Sequence, residues 1–148
     1  ANVQNNLNFE ITVQNKTFTA NAISMGNPHC VIFTYEDTKQ FALKYGRDIE
    51  ISNIFPEKTN VEFIKILSKN EINLDVWERG CGITLACGTG ACASVAAGIL
   101  KGFLNNNVKV NLPGGQLFIE WEGSEENTEF NIFMSGAANY SFTGQIQV

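Results

Sequence analysis

Gly88-Thr89-Gly90-Ala91-Cys92-Ala93-Ser94-Val95-Ala96-Ala97-Gly98-Ile99-Leu100-Lys101 decides the architecture. Nearly every side chain in it is small or aliphatic, its only charge is the final lysine, and Gly102 follows where a helix C′ residue belongs. A helix without a polar face must be buried all round. The layer that buries it has to come from its flanks, and those flanks read as strands. Phe9–Ala20 alternates apolar and polar residues through Phe9, Ile11, Val13 and Phe18. Ala22–Met25 leads into the breaker Gly26-Asn27-Pro28-His29, and the apolar run Cys30–Phe33 follows. Asn60–Leu67 and Ile72–Glu78 form a predicted hairpin across Ser68-Lys69-Asn70. Beyond the helix, Val108–Leu112, Gln116–Glu122, Phe130–Ser135 and Phe142–Val148 continue the pattern, broken by Pro113-Gly114-Gly115 and the polar stretch Gly123–Thr128. One further helix is predicted over Glu36–Tyr45, with Gly46 as its stop. The fold class is therefore α+β: a strongly curved, mostly antiparallel sheet or barrel wrapped around the central helix 88–101, with helix 36–45 outside. No internal repeat, low-complexity tract or linker interrupts it.

The 148 residues suffice for one domain with a real core, and 44% hydrophobic with 17% charged residues is ordinary for a globular chain. The net charge of -5, with Lys and Arg scattered, speaks against a nucleic-acid partner. No apolar run reaches the length of a membrane span, and polar, Asn-rich Ala1–Phe9 is unlike a signal peptide, so a cytoplasmic location is expected. Cys30, Cys81, Cys87 and Cys92 contain no CxxC knuckle, and His29 is the sole histidine. That spacing argues against a metal, and a cytosolic setting argues against disulfides. Cys30 in a strand and Cys92 in the helix read as small core residues.

Cys87 is different. It precedes the helix, whose opening Gly88-Thr89-Gly90 exposes N–H groups with little side-chain cover. Those donors and the positive helix end favour anions, so the thiol is expected to ionise more readily than a free cysteine. The same donors could hold a substrate carboxylate beside the thiolate, which suits removal of a proton next to that carboxylate. Two other chemistries stay open at this point. Gly88-x-Gly90-x-x-Ala93 fits the loose dinucleotide fingerprint, although no acidic residue follows about 20 positions on. Cys87 and His29 could also serve as nucleophile and base in hydrolysis, although no orienting third group is evident.

The run Glu78-Arg79-Gly80-x-Gly82-x-Thr84-x-Ala86-Cys87-Gly88-Thr89-Gly90-Ala91 resembles the second active-site signature of diaminopimelate epimerases. Met25-Gly26-Asn27-Pro28-His29 resembles a second family element, and Phe55-Pro56 with Thr59-Asn60-Val61-Glu62-Phe63 a third. Met134-Ser135-Gly136-Ala137-Ala138 and a final strand resemble the family's tail. The four occur in family order and extend over nearly the whole chain.

The resemblance implies one lobe of a cofactor-independent epimerase that inverts one centre of LL-diaminopimelate to the meso form, for lysine and cell-wall synthesis. Two cysteines face each other across the α-carbon; one takes the proton as thiolate and the other, as thiol, returns one to the opposite face. Carried over, Cys87 is one of the pair, and Gly88 and Thr89 offer backbone N–H groups to the α-carboxylate. Asn27, Asn60 and Arg79 match positions that hold the distal amino-acid end, with Arg79 suited to a bidentate grip. Glu78 and His29 match polar residues that support substrate and thiol. Taken singly, Asn27 also fits a turn, Asn60 a strand edge, Glu78–Arg79 a solvated pair and His29 a structural role.

Cys81 stands where the family has a small residue and Ile83 where it has glutamate. The family's first half, with the partner cysteine, is absent, so residues 1–148 are expected to be a C-terminal lobe whose partner is the N-terminal lobe of the same polypeptide. Residues 142–148 are then a strand belonging with that lobe, expected here to be displaced, disordered or paired with another copy. A homodimer is compatible with this reading, and the chain alone is expected to be inactive. The rivals are a proline or hydroxyproline racemase of the same superfamily and a non-catalytic carboxylate-binding lobe.

Overall fold

Period-two alternation carries the first two strands, β1 (Asn6–Val13) and β2 (Lys16–Ser24), which pair antiparallel. Gln14 and Asn15, both at positive φ (50° and 61°), make the tight turn between them. The segment read as one strand over 9–20 is thus a hairpin. Its apolar positions run 9, 11, 13 and then 18, and that jump in phase is where the chain reverses.

The computed structural model describes residues 6–85, 87–123, 131–136 and 141–145. β3 (Pro28–Phe33) pairs antiparallel with β2 and parallel with β4 (Asn60–Ser68). A parallel neighbour demands a crossover, and α1 (Thr38–Glu50) supplies it. β5 (Glu71–Glu78) returns antiparallel to β4, and the short β6 (Gly82–Thr84) folds back on β5. β6 lies inside what reads in sequence as a glycine-rich connection; three residues are too few to show a period. The second crossover, α2 (Gly88–Leu100), leads to β7 (Asn107–Leu112), which runs parallel to β5. β8 (Gly115–Trp121), β9 (Asn131–Gly136) and β10 (Ser141–Gln145) complete an antiparallel meander. Every other junction of the ten-stranded sheet is antiparallel.

β10 pairs with β9 through Ser141–Gln145, so this part of the tail is held by its own chain. β9 offers an edge next door, and local pairing along one side of β10 satisfies it. Residues 146–148, Ala86 and most of the polar stretch after Gly123 lie outside the described residues.

The curvature is visible in what α2 touches, since β2, β3 and β4 reach it from one half of the sheet and β8 and β9 from the other. Its core comprises residues 90–98 and Leu100 with Ile23, Val31, Ile64, Val76, Trp121 and Ile132 around them. Small residues let the sheet approach, and Gly98 is the tightest point: a Cβ there would lie 2.3 Å from Leu104 Cδ1. The helix closes on Lys101, with Gly102 at φ +76° as expected. On the outer face, Cys30, Ile32, Val61 and Phe63 pack against Ala42, Tyr45 and Ile49 of α1. β3 and β4 are therefore buried on both faces.

α1 starts under an Asp37 cap, whose side chain accepts from Gln40 N–H at 3.0 Å. It runs past the anticipated stop at Gly46. That glycine is buried, and a Cβ on it would sit 2.6 Å from Trp77 Cβ and Cγ. It is there for close approach, not termination. No helix among the described residues is long and apolar enough to cross a membrane.

Candidate active site

The strand registers bring the site together. β3 and β4 run parallel with His29 opposite Asn60, so both strands begin side by side. β5 runs antiparallel to β4 and ends there, with Val61 opposite Trp77, which delivers Glu78 and Arg79 to the same rim. The chain turns through β6 and arrives at Cys87, the N-cap of α2. Asn27 precedes β3, just after Gly26 at φ +90°.

Hydrogen bonds tie most of these residues to one another. His29 Nδ1 lies 2.9 Å from Glu62 Oε2 and its Nε2 lies 3.1 Å from Asn27 Oδ1. Both His29 and Glu62 side chains are fully buried. Asn60 Nδ2 donates to Pro28 O at 3.1 Å, while its Oδ1 accepts from Arg79 N–H at 2.8 Å. Asn60 thus pins the entry of β3 to the exit of β5, keeping one N–H and one lone pair to spare. Arg79 projects from an exposed turn and its Nη1 donates to Glu57 O at 3.3 Å. Glu78 is half-buried.

Cys87 is extended (φ -144°, ψ 101°) and half-buried, with Sγ 3.8 Å from Thr89 Oγ1. The first helical bond runs from Ala91 N–H to Cys87 O, so the N–H groups of Gly88 and Thr89 have no intrahelical acceptor. The helix thus opens at Cys87, where the sequence places its start. The thiol itself corrects the expectation. Burial, followed by the negative charge of Glu62, raises its pKa; donation from Gly90 N–H and Thr89 lowers it, and Glu78 raises it further. Burial and two carboxylates outweigh the two donors at the start of α2. Cys30 and Cys92 are buried as read, and burial pushes the Cys92 thiol to about 12. Cys81 is exposed, and all four cysteines are free thiols. Among the described residues no three His, Cys, Asp or Glu side chains group as metal ligands would.

Two residues escaped the sequence reading. Glu62 contacts the site from below: a Cβ on Gly90 would meet Glu62 Oε2 at 2.9 Å and Cys87 Sγ at 3.1 Å. Burial raises the pKa of this carboxyl; the charge and hydrogen bond of His29 pull it back and Glu78 raises it. Its Oε1 is buried and has no partner among the described residues, as is true of Thr84 Oγ1. Val76 pairs with both Glu62 and Thr84, so the two oxygens share one row across the sheet. A glutamate inside the apolar run Val61-Glu62-Phe63-Ile64 was the available signal, because a doubly buried strand carries a charge only for a reason. The second is Glu50 at the end of α1. Its Oε1 accepts from Trp77 Nε1 at 2.9 Å and its Oε2 from Gly80 N–H at 2.8 Å, which fixes the turn bearing Glu78 and Arg79. Nothing local in the sequence marks it.

Comparison with known proteins gives a consistent picture. The family model described as diaminopimelate epimerase matches residues 21–141. A diaminopimelate epimerase of Halothermothrix orenii is 53% identical over 142 residues, covering 95% of this chain and 48% of that protein. One of Picosynechococcus is 47% identical, again covering 95% and 48%. The chain therefore spans about half the length of the curated relatives it matches. Among solved structures, a hydroxyproline epimerase from Agrobacterium vitis superposes with a TM-score of 0.58 at 14% identity, covering 96% of this chain and 46% of that one. That likeness is one of fold.

Proposed function

The chain belongs to the diaminopimelate epimerase family, and from that premise we propose that it is the C-terminal lobe of an enzyme converting LL-2,6-diaminopimelate to meso-diaminopimelate without a cofactor, in lysine and peptidoglycan precursor synthesis. Residues 1–148 supply one acting thiol, Cys87, and half of the cleft. The N-terminal lobe of the same polypeptide supplies the opposing cysteine and the partner surface for 142–148. One sulfur takes the α-proton as thiolate, and the other delivers a proton to the opposite face as thiol.

The observation that carries this reading is the position of Cys87 beside the N–H groups of Gly88 and Thr89, which have no intrahelical acceptor. An α-carboxylate bound there would be stabilised as charge builds on it during proton removal. Such help is needed, since burial and the charge of Glu62 raise the pKa of the thiol. Asn27, Asn60 and Arg79 hold the distal amino-acid end, Arg79 bidentately. Glu78 lies beside the reacting thiol. His29, fully enclosed, acts through its neighbours.

The test is deuterium uptake at the α-carbon in heavy water, with LL-diaminopimelate and with L-proline. The two-lobed protein should exchange and invert diaminopimelate only, its Cys87→Ala variant should do neither, and this chain alone should not invert. Exchange of proline instead would move the enzyme to the racemase branch. No exchange of either would leave a carboxylate-binding lobe and remove Cys87 from the chemistry.

A further inference from the structure

We infer that Glu62 is a positioning residue of the Cys87 site: it locks the His29 ring by holding a proton with it, and its charge governs how readily the Cys87 thiol ionises. The inference deepens the reading of Cys87 as an acting thiol, and it stands on three contacts.

The first is a proton count. His29 is bracketed by two oxygens, Glu62 Oε2 at 2.9 Å and Asn27 Oδ1 at 3.1 Å. A carboxamide oxygen can only accept, so with Oδ1 facing the ring Nε2 must donate. A second proton then lies between Nδ1 and Oε2, and with both side chains fully buried it has no route to exchange its partner for water. Whichever of the two atoms carries it, the pair brings no net charge into the interior.

The second contact is Gly90. A methyl group there would touch Glu62 Oε2 and Cys87 Sγ at once, so no side chain intervenes between carboxylate and sulfur. Glu62 is nearer to the thiol than its counter-ion is in the chain of contacts, and a thiolate forming at Cys87 meets that carboxylate first. The other groups facing the sulfur are Glu78 from β5, which also opposes ionisation, and Thr89 with Gly90 N–H from α2, which favour it. Met134 of β9 reaches Gly88 and contributes only apolar surface.

The third is the unpartnered, buried Oε1. A carboxylate used only to glue β3 to β4 would satisfy both oxygens within the sheet. This one turns Oε2 to both His29 and Gly90, leaving Oε1 without a partner among the described residues.

The experiment uses this chain with Cys81→Ala, which leaves Cys87 as the accessible thiol because Cys30 and Cys92 are fully buried. The pH dependence of iodoacetamide alkylation reads Cys87. Ring nitrogen-15 shifts read His29 without ambiguity, since it is the only histidine. In the parent, His29 Nε2 is expected to carry a proton and Nδ1 to share one with Glu62. In Glu62→Gln, the Nδ1 shift should move as that shared proton is lost, and the alkylation midpoint should fall by about one pH unit, a roughly tenfold gain in thiolate. Glu62→Asp should restore the parent midpoint in part. An Nε2 without a proton in the parent would overturn the proton count even if no variant folds. An unchanged midpoint in a folded Glu62→Gln chain would reduce Glu62 to sheet glue. Neither readout uses substrate, so both remain decisive if deuterium uptake fails, and uptake remains decisive if they do.

Discussion

Glu50 is the residue whose removal should be felt furthest from where it is anchored. It is 6% exposed, and each carboxylate oxygen takes one N–H from the segment that leads to Arg79. A hydrogen bond to a charged group contributes about 1.5–3 kcal/mol. The Gly80 bond lies at the surface, where water can replace it, so it belongs at the bottom of that range. The Trp77 N–H, on a half-buried side chain, would lose its acceptor. Glu50→Ala should therefore cost about 3 kcal/mol, and Glu50→Gln, which keeps one acceptor oxygen, about half as much. In urea, with a slope of about 2 kcal/mol/M for a chain of this size, the midpoint should drop by roughly 1.5 M for the alanine variant. Amide exchange supplies the local readout: Gly80 N–H should exchange faster in both variants, while amides of α2 follow global stability only. Equal midpoints, or unchanged Gly80 exchange in a destabilised variant, would mean that the carboxylate does not hold the turn.

Gly46→Ala tests packing against propensity. The substitution favours the helix by about 1 kcal/mol, but a Cβ 2.6 Å from the Trp77 side chain should cost more than that, with net destabilisation of roughly 1–2 kcal/mol in urea unfolding. Alkylation at pH 8 should label Cys81 first, Cys87 slowly, and Cys30 and Cys92 only on unfolding; mass spectrometry of time points decides the order. Alkaline stability should follow Cys92. Its folded pKa lies above the unfolded value, so its contribution is intact below pH 9 and declines between 9 and about 12; Cys92→Ala should flatten the urea midpoint across that window. In the two-lobed protein, Arg79→Lys should raise KM for diaminopimelate roughly tenfold with little change in kcat, since an ammonium cannot reproduce a forked grip.

The architecture was legible because α2 announces itself. Fourteen residues with one terminal charge can only be enclosed, and the period-two flanks supply the enclosure. Boundaries failed where a residue's role was tertiary. Gly46 reads as a stop, and its reason for being small is a tryptophan some 30 positions away in β5. The 14–15 turn carries no glycine, so only the phase of the apolar positions betrays it. At the site, Cys87 and its glycines were legible because helix-end chemistry is local. The sign of the thiol's perturbation was not, because it is decided by carboxylates from β4 and β5 and by burial.

α2 is apolar on every side, so hydrophobicity sets no preferred angle of rotation about its axis. The angle is indexed instead by two missing side chains: Gly90 against Glu62 and Cys87, and Gly98 against Leu104. They lie eight residues apart, a little over two turns and about 80° apart around the axis, like two notches on a key. Turned by one residue, the helix would present a side chain at each notch, Ala91 and Ile99 or Thr89 and Ala97, and aim the sulfur elsewhere. The direction in which Cys87 points is thus written in atoms the sequence omits, and replacing either glycine by the better helix-former alanine would strengthen the helix while mis-setting it.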